Sequence, residues 1–504
     1  MSAAKTPSVH RERELKLAAP PGFELLDLGG VASDVVVTAA DERRLTTVYW
    51  DTADLRLIRW GCTLRHRAGE GWTVKLPKVE SSALLVRDEH NFPGPPAAPP
   101  EQAVDLVRAY VRTAELAPVA RMRTVRRAVS VLSADGRLLA EIDDDEVSVH
   151  RGRRVTGRFR ELEVEMAADG SDELLDAIVE RLRAGGAGAA DPTPKLVRAL
   201  GAVATEPPEV TPESLDGATT TAGAVVRRAI ASSVARLLRH DPGVRLGGEP
   251  EDVHQARVAT RRMRSDLRTF APLIDAEWAA SLSEELRWLA AELGTVRDAE
   301  VLAERIHATA GRLPAADVEA GRHVADRIEA SIGDARGGLL SALHDPRYVA
   351  LLDRLVEAAH APALTAEAEG PARKVLPALV AVPWSKLWRD GRRLDAHSPD
   401  EQLHALRIRA KRVRYAAEAV VPVMGPKASR FATAVTRLQT VLGEHQDSVI
   451  AADWLHTNGP QSGQPFAAGQ LWALERAAAE EARRQWPAAW KDATDRSLRG
   501  WFPD

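Results

Sequence analysis

A single cysteine, Cys62, stands in 504 residues. No disulfide can form within the chain, and a lone thiol fits a reducing compartment. Nowhere do 18 uncharged apolar residues follow one another, which argues against a membrane-spanning helix. The start of the chain is polar and charged from Lys5 to Lys16 with no apolar stretch behind it, unlike a secretory signal. A soluble cytoplasmic protein with no membrane partner is therefore expected. Neither sign of charge prevails: 68 basic and 72 acidic side chains leave a formal charge of −4. No global field draws such a chain to nucleic acid or to a membrane, so a polyanion site would have to be a local patch. Aromatic residues make up only 5 %. The second half of the chain has no stacking platform and no evident helix-turn-helix, which disfavours nucleic acid as a partner. A Walker motif is absent, and so is a Ser or Cys nucleophile arrangement; for phosphoryl chemistry this favours an attacking water over a covalent step.

What the sequence does have is charge at strand spacing. Glu12, Glu14 and Lys16 alternate with Arg13, Leu15 and Leu17, so an extended chain puts the first three on one face. The same period recurs in Arg65 and Arg67, in Thr73 and Lys75, and in Glu161, Glu163 and Glu165 alternating with Leu162, Val164 and Met166. Three carboxylates on one strand face repel one another unless cations neutralise them, and Arg65, Arg67, Lys75 and Arg87 offer the opposite sign. For one strand a solvated sheet face would explain the pattern. Several such strands in one domain point instead to an ion-binding tunnel, where basic groups grip a polyphosphate and carboxylates hold a divalent cation.

Length alone implies more than one domain. Residues 10–200 read as strands, among them Leu45–Trp50, Cys62–His66, Trp72–Leu76 and Arg126–Leu132, with helical patterns at Glu101–Thr113 and Asp172–Ala184. The Pro- and Thr-rich stretch 204–222 reads as a linker between a domain at 8–203 and another at 223–500. Beyond it the period becomes helical, with breaks expected near Pro242–Pro250, Gly311–Pro314, Pro362–Pro371, His397–Pro399 and Asn458–Pro465. This half repeats itself. His254, Arg257, Arg261, Arg262 and Arg264 recur 150 residues later as His404, Arg407, Lys411, Arg412 and Arg414, which suggests two pseudo-symmetric helical bundles. Residues 254–268 carry a net +4 and 404–414 a net +5. Like charges at helical spacing weaken a helix, whereas a row of guanidinium groups suits an extended polyanion. Internal pairing with acids such as Asp298 and Asp447 is the competing explanation. His254 and His404 have no second ligand at metal spacing and read better as structural or phosphate-contacting groups.

The segment Glu12–Arg13–Glu14–Leu15–Lys16 matches the ExExK signature of the CYTH superfamily, the triphosphate tunnel metalloenzymes. The stretches Thr63–Arg67, Trp72–Lys75, Glu141–Asp143 and Glu161–Glu165, with Lys195, follow in that family's order. The helical half resembles a CHAD domain through Val253–Val258 and Leu403–Ile408 with their basic companions. The resemblance implies an α+β domain built as an eight-stranded antiparallel β tunnel with flanking helices, followed by an all-α domain. It implies that Lys16, Arg65, Arg67, Lys75, Arg126 and Lys195 bind phosphate, with Arg87 and Arg123 as further candidates. Glu12, Glu14, Glu161 and Glu163 would hold Mg2+ or Mn2+, joined by Glu165, while Glu141 and Asp143 help to place metal or water. Inorganic polyphosphate would lie along His254, Arg257, Arg261, Arg262, Arg264, His404, Arg407, Lys411, Arg412 and Arg414. The implied activity is that of bacterial CYTH–CHAD inorganic triphosphatases. A non-catalytic protein targeting polyphosphate granules and a CYTH-type adenylate cyclase are the alternatives.

Overall fold

The computed structural model describes residues 8–25, 27–32, 34–77, 85–215 and 219–503, without the side chains of 8–13, 39–41 and 85–87. The chain divides into two compact units, Met1–Glu209 and Val210–Asp504. The division falls inside the Pro-rich stretch 204–222. Upstream of it this stretch is packed rather than loose: Ala204 is buried in a cluster with Tyr49 and Met122, and Arg112 donates to Glu209 at 2.6 and 2.7 Å.

The first unit contains strands β1 (Ser8–Ala18), β2 (Val35–Asp51), β3 (Thr63–Arg67), β4 (Gly71–Pro77), β5 (Leu85–Phe92), β6 (Ala117–Ser133), β7 (Leu138–Arg151) and β8 (Arg154–Met166). All pair antiparallel in the order β1-β5-β4-β3-β2-β6-β7-β8. Because β1 pairs with β5 on one side and β8 on the other, the sheet closes into a barrel. Among the described residues the helices α1 (Arg56–Arg59), α2 (Glu101–Leu106), α3 (Arg108–Val111), α4 (Asp172–Ala184) and α5 (Lys195–Leu200) accompany it. The tight β3–β4 connection turns through Gly69 and Gly71, both at positive φ; at Gly71 a Cβ would lie 2.9 Å from the Phe92 carbonyl oxygen, so only glycine fits.

Alternation along the strands puts charge inside and apolar side chains outside. Outward-facing Leu17, Ile142, Leu162 and Val164 pack against Leu174, Leu175, Ile178 and Leu182 of α4. That helix is well punctuated: Ser171 accepts a hydrogen bond from the Leu174 amide at 3.2 Å, Asp172 and Glu173 occupy the first turn, and Arg181 and Arg183 the last. Along the inner face, Met122 and Val147 follow Arg126 and Asp145 in the alternation of β6 and β7. They pack with Tyr49 and with Leu196 of α5, an apolar layer beside the charged one.

The described residues of the second unit are almost entirely helical: α6 (Ala222–Leu246), α7 (Pro250–Thr269), α8 (Ala276–Ala310), α9 (Val318–His344), α10 (Pro346–His360), α11 (Ala372–Gly391), α12 (Asp400–Met424), α13 (Pro426–Asn458) and α14 (Pro465–Ala493). Helices α11, α12 and α13 begin 150 residues after α6, α7 and α8, and α14 is the counterpart of α9. The break expected near Pro242–Pro250 falls at Gly247–Glu249, between α6 and α7. Pro242 lies buried inside α6, which runs on to Gly247 at positive φ. A proline forfeits one backbone hydrogen bond there, but Asp241 beside it is held by Arg245 at 2.8 Å and by the Tyr348 hydroxyl at 2.6 Å. Among the described residues no helix is long and apolar enough to cross a membrane.

Candidate functional site

The inner face of the barrel surrounds a cavity of about 380 Å³ lined by Lys16, Arg65, Arg67, Lys75, Arg126, Lys195, Glu163 and Glu165, with Tyr49 and Glu89 among the rest. Strand register explains the gathering. Lys16 stands opposite Glu163, Glu14 opposite Glu165, Asp143 opposite Glu163, and Asp145 opposite Glu161; Lys75 stands opposite Thr63 and Glu89, and Arg65 opposite Thr73. Lys195, at the start of α5, is brought in by the packing of Leu196 beneath it.

Cations and carboxylates interleave on this wall. Lys16 is ion-paired with Glu163 and lies 3.4 Å from Glu14. Lys195 reaches Asp145 at 2.7 Å, Glu163 at 2.8 Å and Glu161 at 3.2 Å. Arg126 donates to Asp145 at 2.6 and 2.8 Å and to Glu163 at 3.0 Å, and also pairs with Asp143. Glu89 pairs with Lys75 and lies 3.5 Å from Arg65. Arg67 bonds Thr47 at 3.3 Å and Glu70 at 3.0 Å.

The ionisation states follow. Burial opposes charge on Lys16, but Glu163 and Glu14 push its pKa up to about 12. Burial likewise opposes charge on Lys195 and Arg126, yet Glu163 and Asp145 hold both above their usual values. Glu89, though buried, is drawn down to about 2 by Lys75 and Arg65. Asp143 is different: burial, with Asp145 and Glu163 nearby, outweighs Arg126 and raises it to about 7. Asp145 on the same strand face goes the other way, kept ionised against burial by Lys195 and Arg126. Two neighbouring carboxylates driven apart in this way divide readily into a proton carrier and a fixed anion.

Several expectations shift. Arg123 stands on the outer face and is exposed, because alternation along β6 puts it opposite in sense to Arg126. Glu14, Asp143, Asp145 and Glu161 are buried and are not among the residues that line the cavity; Lys195 and Arg198 surround Glu161 at 3.2 and 3.4 Å. Glu141 pairs across β7 and β8 with Glu165. The side chains of Glu12 and Arg87 lie outside the described residues, although their backbones pair between β1 and β5. Tyr49, Glu89 and Asp145 escaped the sequence reading; Asp145 merely continues the alternation of Glu141 and Asp143.

Hard oxygen donors suited to Mg2+ or Mn2+ are plentiful here. Buried oxygens of Glu14, Asp143 and Glu161 accept no hydrogen bond among the described residues, so the donor set fits a divalent cation. Within the described residues no three tunnel carboxylates bring an oxygen each within 4.8 Å of one another. The ammonium groups of Lys16 and Lys195 stand between them.

In the helical unit, all ten basic residues and histidines expected from the repeat line one groove of about 920 Å³, between α7 and α12. Arg236, Arg287 and Arg297 add to it from α6 and α8, which no repeat motif indicated. Internal pairing accounts for part of the charge: Arg257 meets Asp298 at 2.7 Å, Arg407 meets Asp447 at 3.5 Å, and Arg262 and Arg414 share Glu418 at 2.9 and 2.7 Å. Arg261, Arg264 and Lys411 make no ion pair among the described residues, and Nδ1 of His404 is buried without a hydrogen-bond partner.

Comparison with known proteins places both units. Residues 10–189 match the CYTH domain and residues 228–456 the CHAD domain. The chain is 33 % identical over 528 aligned positions to the uncharacterized proteins MT2285 and Rv2226 of two Mycobacterium tuberculosis strains, CDC 1551 / Oshkosh and H37Rv, covering 96 % of this chain and 97 % of each of them. The CHAD domain from the plant Ricinus communis is 23 % identical with a TM-score of 0.46, over 57 % of this chain and 96 % of that one. CYTH domains bind triphosphate substrates and depend on metal, typically Mg2+ or Mn2+. With a CYTH barrel ahead of a CHAD bundle, and full-length relatives built to the same length, the chain belongs to the CYTH–CHAD family.

Proposed function

We propose that the barrel hydrolyses inorganic triphosphate with Mg2+ or Mn2+ and that the helical unit binds inorganic polyphosphate. The observation that carries this reading is the mixed sign of a closed, buried wall. A polyanion entering alone would draw Lys16, Arg126, Lys195 and Lys75 away from Glu163, Asp145 and Glu89, and buried carboxylates left without partners cost several kcal/mol. A divalent cation entering with the polyanion restores the balance. Glu163, Glu165 and Glu14, with Glu12, would hold that cation, whose chemistry is to neutralise charge on the phosphoryl oxygens.

The remaining roles belong to the chain. Arg65, Arg67 and Lys75 from β3 and β4, and Lys16, Arg126 and Lys195 from β1, β6 and α5, grip the phosphates in a fixed geometry. Asp143, near 7, takes a proton from an attacking water close to neutral pH. Asp145 stays behind Arg126 and Lys195 as a fixed anion that orients them, and Glu161, whose pKa burial pushes upward, packs against Lys195 and Arg198. In the helical unit the arginines of the groove without carboxylate partners supply the contacts for a linear polyphosphate.

The test is phosphate release from inorganic triphosphate with Mg2+ or Mn2+ and with EDTA, beside ATP assayed for cyclic AMP. Metal-dependent phosphate release is expected, reduced at least ~100-fold in the Glu163→Gln/Glu165→Gln double variant while its circular dichroism is unchanged. No turnover with either metal would leave a tunnel that only binds. Cyclic AMP as the product would make it a cyclase.

A further inference from the structure

Eleven arginines and one lysine line the groove of the helical unit. The lysine, Lys411 on α12, occupies the position that Arg261 holds in the other half of the repeat. The substitution matters chemically, because a guanidinium keeps its proton at any physiological pH whereas an ammonium can lose one. The surroundings of Lys411 favour the loss. Arg257 and Arg261 of α7 and Arg407 of α12 bear on it, and the facing carboxylate, Asp447 of α13, is ion-paired to Arg407 at 3.5 Å. Burial and then these three guanidinium groups lower its pKa to about 7. The other four lysines of this unit, Lys374, Lys386, Lys427 and Lys491, are exposed. An ordinary lysine is only about 0.04 % free amine at pH 7, against roughly half for an amine that titrates there.

We propose that Lys411 is an acylation site, its amine taking the acyl group of a small acyl phosphate whose phosphate is held by the neighbouring guanidinium groups. The proposal rests on the groove being a phosphate site. The lone pair of Nζ attacks the acyl carbonyl carbon and a C–N bond forms. The bond from that carbon to the bridging oxygen breaks, phosphate departs with the electron pair, and the amine proton passes to water. The guanidinium groups stabilise the departing phosphate. The product is an amide in the middle of the groove, neutral at every pH and bulkier than the amine.

The full-length protein is incubated with acetyl phosphate at pH 7.0, and acetylation is followed at each lysine by peptide mass spectrometry. A parallel sample receives the N-hydroxysuccinimide ester of acetate, which carries no phosphate. Lys411 should be acetylated by acetyl phosphate at least tenfold faster than Lys374, Lys386, Lys427 or Lys491. Inorganic phosphate in excess should slow that reaction but not the reaction with the ester. Arg407→Gln should slow acetylation of Lys411 by acetyl phosphate relative to the ester. A rate at Lys411 no greater than at the four exposed lysines would overturn the proposal, as would equal sensitivity of both reagents to phosphate. Polyphosphate binding by the unmodified protein is measured separately. If it fails while Lys411 is still selectively acetylated, the polyphosphate reading falls and the acylation site stands.

Discussion

Asp143 and Asp145 are two residues apart on one face of β7, yet among the described residues only Asp145 has a lysine in contact. An Asp ionises near 3.9 in an unfolded chain and Asp143 near 7 in the folded one. Between these values the unfolded chain has released a proton that the folded chain keeps, so this residue's contribution to stability falls as pH rises from about 4 to about 7. Asp143→Asn removes that dependence. The variant should be no more stable than the parent near pH 4 but more stable by on the order of 1–3 kcal/mol at pH 8, read from urea unfolding at the two pH values, and it should lose triphosphate turnover. A parent and variant that differ equally at both pH values would show that Asp143 titrates normally. At this scale the sequence was only half legible. Four arginines lie in Arg121–Arg127, and alternation alone divides them into two faces without saying which is inner. The pairing of Arg126 with Asp145 decides it. Glu89 was hidden for a related reason, since its partners Lys75 and Arg65 come from other strands.

Strands and helices were easier to read where their periods were long and uninterrupted. Helix α4 has the bounds its apolar spacing implies, Asp172–Ala184, and the break expected near Pro242–Pro250 falls at Gly247–Glu249, because a proline inside a well-packed helix need not end it whereas a glycine at positive φ does. The role of α4 yields a second prediction. Ile178 is fully buried between the helix and the outer barrel wall, so Ile178→Ala should cost ~2–5 kcal/mol of the first unit's stability in denaturant unfolding, while the unfolding of the helical unit stays where it was. Helices α7 and α12 carry a third. Replacing Arg257, Arg261, Arg407 and Lys411 with Ala should lower polyphosphate affinity at least ~10-fold and flatten its salt dependence, because fewer counterions are displaced, with helicity preserved. Affinity and salt slope like those of the parent would mean that the pairs to Asp298 and Asp447 are the purpose of these rows. The repeat was visible from its spacing of 150; that the two basic rows face a common groove was not, because sequence does not say which helices of the two halves meet.

On the scale of the whole molecule, each unit has its own interior. The barrel relies on the cluster around α4, and the helical unit on faces such as that of Ile306, Val324 and Leu471. Fragments 1–209 and 210–504 should therefore each unfold in a single cooperative transition, the first retaining triphosphate hydrolysis and the second polyphosphate binding. A fragment that unfolds without cooperativity would show that its interior is incomplete. The change from strand to helical period made two domains evident in the sequence, but composition suggested a loose join where Ala204 and Glu209 are in fact tied down. A last consequence comes from where the barrel keeps its apolar residues. Most small barrels fill their centre with the side chains that hold them together, so that altering the centre alters the fold. Here the main apolar cluster is a jacket on the outside, and the lumen is free for chemistry. Inward residues that leave a cation and its carboxylate together can then be exchanged as pairs with little effect on the scaffold, so a lineage could retune what the tunnel accepts without first having to survive an unstable intermediate.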